Sequence, residues 1–172
     1  MSKTALVTGA SRGIGRGTAI ALGTAGWTVW ITGRSTDRGA RTSHLPGTVE
    51  ETAAAVTAAG GHGIAAVCDH RDDDQVQAVV SRIDKLDLLV NNVWAGYEWI
   101  TAGTWPEWGA PFWEQPIERW DAMFAGGVRA HYVATVLCAP LLRAGGNGLV
   151  VTVSVPIGEG APVAYSMAKG CR

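Results

Sequence analysis

The sequence is short of the features that mark several large classes of protein. Its 172 residues hold three cysteines, Cys68, Cys138 and Cys171, too few and too scattered for a disulfide framework or a zinc knuckle. Buried or free thiols in a reducing cytoplasm are the expectation, with no metal site. Fourteen basic residues against 15 acidic ones leave a net charge of −1, so the chain carries no whole-molecule field for nucleic acid. No stretch reaches 18 consecutive apolar residues, and the opening run Ala5-Leu6-Val7-Thr8-Gly9 is too short for a signal segment. No membrane span is expected, nor any internal repeat at 20–50 residues. With 47% hydrophobic and 17% charged residues, the chain is also not a disordered tail or linker.

Two residue types are in excess. Glycine supplies 23 of 172 positions, well above the usual ~7%. Six of the eight tryptophans fall between Trp94 and Trp120.

Short apolar runs alternate with helix-period segments. Ala5–Val7, Thr28–Ile31, Ile64–Cys68, Leu86–Asn91 and Leu149–Ser154 read as strands, apolar on both faces as buried parallel strands are. Between them, Ile14, Ala21, Leu22 and Ala25 follow a helical period, as do Val76, Val79, Val80 and Ile83 behind a cap at Asp72. Thr48 and Glu51 have capping-box spacing before Val49, Ala53 and Val56. Trp120, Phe124, Val128, Tyr132 and Thr135 predict a longer helix. The alternation argues one α/β domain over residues 1–172, a doubly wound parallel sheet in three αβα layers. Val93–Pro116 is long and irregular, and reads as a lid or substrate pocket rather than a linker.

The strongest local signal is Thr8-Gly9-Ala10-Ser11-Arg12-Gly13-Ile14-Gly15, placed between the first strand and the first helix. Gly9 permits the turn out of the strand, and Gly13 and Gly15 admit backbone to a pyrophosphate and helix to sheet. The helix start then offers free N–H groups and the positive end of a dipole. An acid about 20 residues further on, ending strand two, would hold a ribose 2′-hydroxyl. No acid stands there: Thr32-Gly33-Arg34-Ser35 does. Arg34, helped by Arg12, offers a cationic fork for a 2′-phosphate, which favours NADP(H) over NAD(H). Asp69 ends the third strand and is placed to accept from an adenine amino group, and Asn91 ends the fourth, beside the cofactor crevice.

Tyr165 and Lys169 are spaced i, i+4, on one face of a helix that follows the fifth strand, whose end carries Ser154. A phenol is a poor acid or base at neutral pH, and a neighbouring ammonium favours its ionised form. Tyr165 is thereby suited to exchange a proton with an alcohol or ketone oxygen while hydride passes to or from a nicotinamide.

Taken together, Thr8–Gly15, Asp69, Asn91-Asn92-Val93-Trp94-Ala95-Gly96, Ser154 and Tyr165-Ser166-Met167-Ala168-Lys169 resemble the short-chain dehydrogenase/reductase family, in order and spacing along the whole chain. Phe112-Trp113-Glu114-Gln115-Pro116 and Trp120-Asp121 resemble one branch of it that carries an aromatic stretch after the Asn-Asn motif. The resemblance implies Tyr165 as acid/base, Ser154 bonded to the reacting oxygen, and Lys169 bound to the nicotinamide ribose. It also implies a cofactor cradle that includes Gly9, Ser11, Arg12, Gly13, Ile14, Gly15 and Asn91.

Two positions depart from the pattern. The family's usual serine-to-tyrosine spacing lands on Thr152, and Ser154 lies two residues closer. The family's helical asparagine falls at Gly127, which removes a proton-relay group. The tryptophan-rich segment would lie above the strand ends and suits an apolar carbonyl substrate.

Three readings compete: an NADP(H)-dependent oxidoreductase of ketones and secondary alcohols, a non-catalytic nucleotide-binding protein or inactive fragment, and a methyltransferase. The last predicts an acid ending strand two and leaves Tyr165 and Lys169 without a role. Family members continue well beyond Lys169, whereas Gly170-Cys171-Arg172 ends this sequence. The chain therefore reads as the N-terminal two-thirds of a cytoplasmic enzyme, homo-oligomeric at full length. Its fifth strand is expected to be an exposed, aggregation-prone edge.

Overall fold

A computed structural model describes residues 2–39, 45–96, 103, 108–155 and 161–171. Five strands form one parallel sheet: β1 (Thr4–Val7), β2 (Thr28–Gly33), β3 (His62–Val67), β4 (Leu88–Asn91) and β5 (Leu149–Thr152), in the order β3-β2-β1-β4-β5. β1 pairs with β2 on one side (Val7 opposite Ile31) and with β4 on the other (Val7 opposite Val90). The strand order therefore reverses beside β1, and a crevice opens at the carboxyl ends of the strands there.

Period-two alternation sends the side chains of β1–β4 to two cores. Ala5, Val7, Val29, Ile31, Leu88 and Val90 pack against α1 (Gly13–Thr24) and α2 (Val49–Ala58) through Ala19, Val49, Ala53 and Val56. Leu6, Trp30 and Leu89 point the other way, onto α3 (Asp73–Val80) and α5 (Ala130–Ala144) through Val76, Val79, Val80, Ala134, Cys138 and Leu142. This is the expected three-layer arrangement. Each fully buried aliphatic side chain contributes about 1.5–3 kcal/mol. Two expected caps form: Thr48 Oγ1 accepts from Glu51 N at 3.0 Å, and Asp72 accepts from Asp74 N and Gln75 N.

Two expectations about burial are overturned. In α1 the helix forms, but Ile14 is 63% exposed and the buried positions are Gly15, Ala19 and Gly23. A side chain at Gly23 would stand 2.8 Å from the Val56 carbonyl oxygen, so α1 and α2 approach through a stripe of small residues that apolar periodicity does not mark. The same holds further on. α4 (Ile117–Met123), a π-helical turn (Phe124–Arg129) and α5 run continuously, but Tyr132 is 70% exposed, and the buried side is Met123, Gly126, Gly127, Ala130, Ala134, Cys138 and Leu142. By length and composition alone the run Ile117–Ala144 could cross a membrane; that small-residue side packs against the protein. β5, by contrast, is the exposed edge expected of it. It pairs with β4 alone and leaves Leu149, Val150 and Val151 exposed, because an edge strand has no second neighbour.

Within Val93–Pro116, a 3₁₀ turn covers Phe112–Glu114, and residues 97–102 and 104–107 lie outside the described residues. The expected lid falls in part on these positions.

Candidate active site

The crevice at the switch point has a volume of about 410 Å³. Its floor is the turn from β1 into α1, where Gly9, Ser11, Arg12, Gly13 and Ile14 all line it. Gly9 has φ +65°, and a Cβ there would lie 2.7 Å from Val93 Cα, so only glycine lets this turn close against the chain leaving β4. Thr8 fastens the same joint: its Oγ1 donates to the Val90 carbonyl at 3.2 Å and accepts from Asn92 N at 2.9 Å and Val93 N at 3.1 Å.

Asn92, rather than the expected Asn91, braces the turn. Its Nδ2 donates to the Thr8 and Gly9 carbonyls at 2.9 and 3.0 Å. Asn91 is buried and donates to Thr135 Oγ1 at 2.9 Å, on the helix side of the sheet and away from the crevice lining. Adjacent strand residues point to opposite faces, so the second asparagine of the pair inherits the crevice. Gly15 does not line the crevice; a side chain there would meet Asn92 Nδ2 and the turn backbone.

The start of α1 is open to an anion. Arg12 is its N-cap and supplies no side-chain acceptor, the first turn carries no acid, and nothing lies within 4 Å of where a Gly13 Cβ would stand. Arg12 instead reaches the end of β2, donating to Ser35 Oγ at 2.7 Å and the Gly47 carbonyl at 3.0 Å. Arg34 stands on the same rim, 3.8 Å from Asp69. Arg71, which the sequence did not single out, grips Asp69 more closely: its Nη2 is 2.6 Å from Oδ2 and its Nε 3.1 Å from Oδ1. Burial alone would raise the Asp69 carboxyl; hydrogen bonds from Arg71 and the charge of Arg34 outweigh it and hold the group below the usual carboxylate value.

Two further groups here are structural. His70 Nε2 lies 2.8 Å from Thr32 Oγ1, and burial lowers its pKa to about 4, so it joins β2 to the end of β3 as a neutral ring. Burial likewise pushes the Cys68 and Cys138 thiols up to about 12, which makes them inert; Cys171 is exposed.

At the other end of the crevice stand Tyr165 and Lys169, on α6 (Val163–Gly170). Lys169 Nζ lies 5.5 Å from the Tyr165 ring centre and 3.9 Å from that of Trp94. Trp94 and Trp108 both meet Tyr165 edge to face, at 5.5 and 5.0 Å. Ser154 does not join them. It is exposed, and its Oγ donates to the Lys169 carbonyl at 3.4 Å. Its neighbours Val153 and Val155 line the crevice, whereas Thr152 faces a separate cavity beside Asn91 and Thr135. Among the described residues no group of histidine, cysteine and carboxylate side chains is placed to hold a metal.

Comparison with known proteins agrees with this arrangement. The short chain dehydrogenase family model matches residues 3–171. The mouse protein "Dehydrogenase/reductase SDR family member 1" is 40% identical over 158 residues, covering 89% of this chain and 46% of its own length. The human protein of that name is 35% identical over 181 residues, covering 96% and 53%. A crystal structure of a metagenomic short-chain oxidoreductase in complex with NADP is 29% identical with TM-score 0.77, covering 98% of this chain and 71% of that one. The chain thus spans about half the length of the curated relatives it matches. A glycine-rich turn and a Tyr-x-x-x-Lys helix open onto one crevice, and the family match runs almost end to end. On both grounds the chain belongs to the short-chain dehydrogenase/reductase family of oxidoreductases.

Proposed function

We propose that the protein transfers hydride between NADP(H) and a ketone or secondary alcohol, with Tyr165 as general acid/base. The observation that carries this reading is the single crevice joining Gly9–Ile14 to Tyr165 and Lys169. A dinucleotide fits the residues present, because the N-terminus of α1 has neither an acid nor a side-chain cap to compete with a phosphate. Nothing stands within 4 Å of where a Gly13 Cβ would be, so the approach is also clear there. Arg12, Ser35 and Arg34 gather where a 2′-phosphate would sit, in place of the acid that would select a 2′-hydroxyl.

The nicotinamide, when bound, donates or accepts the hydride. The chain's own residues handle the proton. Tyr165 stands in the crevice and exchanges its phenolic proton with the substrate oxygen. Lys169, one helical turn away, holds its ammonium 5.5 Å from the Tyr165 ring centre. Trp94, Ala95 and Val155 supply an apolar wall that keeps water from this end and suits an apolar carbonyl substrate. Ser154, as placed, orients the end of α6 through the Lys169 carbonyl instead of touching a reacting oxygen. That displacement favours one alternative, a nucleotide-binding protein without turnover.

The deciding experiment follows nicotinamide absorbance with a panel of ketones and alcohols. Tyr165→Phe should lose turnover while NADPH binding persists. Equal activity in parent and Tyr165→Phe rejects the mechanism, and cofactor binding without any turnover by the parent selects the alternative. Arg34→Ala should weaken NADPH at least about tenfold more than NADH, the scale of one charge-assisted contact. An equal effect on both cofactors removes the preference.

A further inference from the structure

We propose that Trp94 is a positioning residue whose indole face seats the Lys169 ammonium on the crevice wall. We further infer that the glycine at 126 in the π-helical turn fixes where that indole stands. The Lys169 ammonium lies nearer the Trp94 ring than the Tyr165 ring, 3.9 against 5.5 Å, well inside cation–π range. The same indole meets the edge of Tyr165 at 82°. One side chain therefore touches both members of the pair.

Trp94 is held from several directions. Before it, Val93 N donates to Thr8 Oγ1 at 3.1 Å. The Val93 carbonyl accepts from His131 Nε2 at 2.8 Å, so that nitrogen carries the proton. After it, Ala95 presses on Gly126 so closely that a side chain at 126 would overlap the Ala95 methyl. Gly96 turns at φ +101°, and a Cβ there would come within 2.8 Å of Met123 Cγ. β1, α4, the π-helical turn and α5 thus converge on residues 93–96. The π-helical turn contains Gly127, where the family's asparagine is absent, so this segment now serves the catalytic pair by packing.

The test has two arms. In cofactor-free protein, the rate at which acetic anhydride acetylates Lys169 is read by peptide mass. Removing the indole should expose the amine: Trp94→Leu should speed acetylation about fivefold, and Trp94→Phe, which keeps an aromatic face, should stay near the parent rate. The second arm rests on the nucleotide reading above and measures NADPH dissociation constants for parent, Trp94→Leu, Lys169→Met and the double variant. Trp94→Leu should weaken NADPH about fivefold when Lys169 is present and have no effect in the Lys169→Met background. An unchanged acetylation rate overturns the proposal, as does the same loss of affinity in both backgrounds, which marks simple packing. Failure of the parent to bind NADPH rejects the nucleotide reading instead and leaves the acetylation arm to decide. If Trp94→Leu does not fold, Trp94→Met takes both arms.

Discussion

The two ends of the crevice are built by different means. At the nucleotide end, Thr8, Gly9 and Asn92 lock the exits of β1 and β4 together through five hydrogen bonds of 2.9–3.2 Å, beneath a fully buried Leu6, Val7 and Leu89. At the reacting end, Tyr165 and Lys169 are held by rings and a short helix beside β5, whose Leu149, Val150 and Val151 are 57%, 39% and 40% exposed. The nucleotide end is held by backbone geometry and hydrogen bonds between strand exits. The reacting end depends on contacts between side chains, and single substitutions there change chemistry more readily than fold.

This contrast can be broken by experiment. The largest stability loss should come from Leu6→Ala, at about 2–5 kcal/mol, against about 1 kcal/mol or less for Val151→Ala, both read by denaturant titration. Similar losses at the two sites would erase the distinction.

Gly9→Ala comes next. Its strained φ and the clash with Val93 should cost about 1–3 kcal/mol and reduce NADPH binding together. An alanine variant that binds like the parent would show that the turn is less constrained than its geometry implies.

The nucleotide end also carries a pH effect. His70 titrates near 4 in the folded chain and 6.5 when unfolded. A lowered folded value means that stability is fully present above pH 6.5 and is lost as pH falls toward 4, by on the order of 3 kcal/mol. His70→Gln, which keeps a hydrogen-bonding group toward Thr32, should flatten that part of a melting-temperature profile. An unchanged acid limb would assign it to carboxylates.

The smallest effect is expected at the edge. Val150→Lys should shift stability by about 0.5 kcal/mol or less while slowing aggregation seen by light scattering. Unchanged aggregation would show that the β5 edge is not the associating surface.

Much of this was readable along the chain because it depends on local chemistry. Short continuous apolar runs placed every strand, Thr48 and Asp72 capped their helices, and the glycines of the first turn marked one end of the crevice. Those signals act through residues near in sequence. The face a helix buries does not: α1 and α5 turned glycine, alanine and cysteine inward and left Ile14 and Tyr132 outside, because close approach to neighbouring elements rewards small volume over apolarity.

The site divides in the same way. The sequence by itself placed Gly9, Ser11, Arg12, Gly13, Tyr165 and Lys169, since motif spacing determines which residues a turn or a helical face presents. Tertiary packing decided that Asn92 and not Asn91 enters the crevice and that Val155 lines it while Ser154 turns away. It also decided that Arg71 shares Asp69 and that Trp94 receives the lysine. Each of these depends on which face of a strand end meets another element, and that relation exists only once segments distant in sequence have packed.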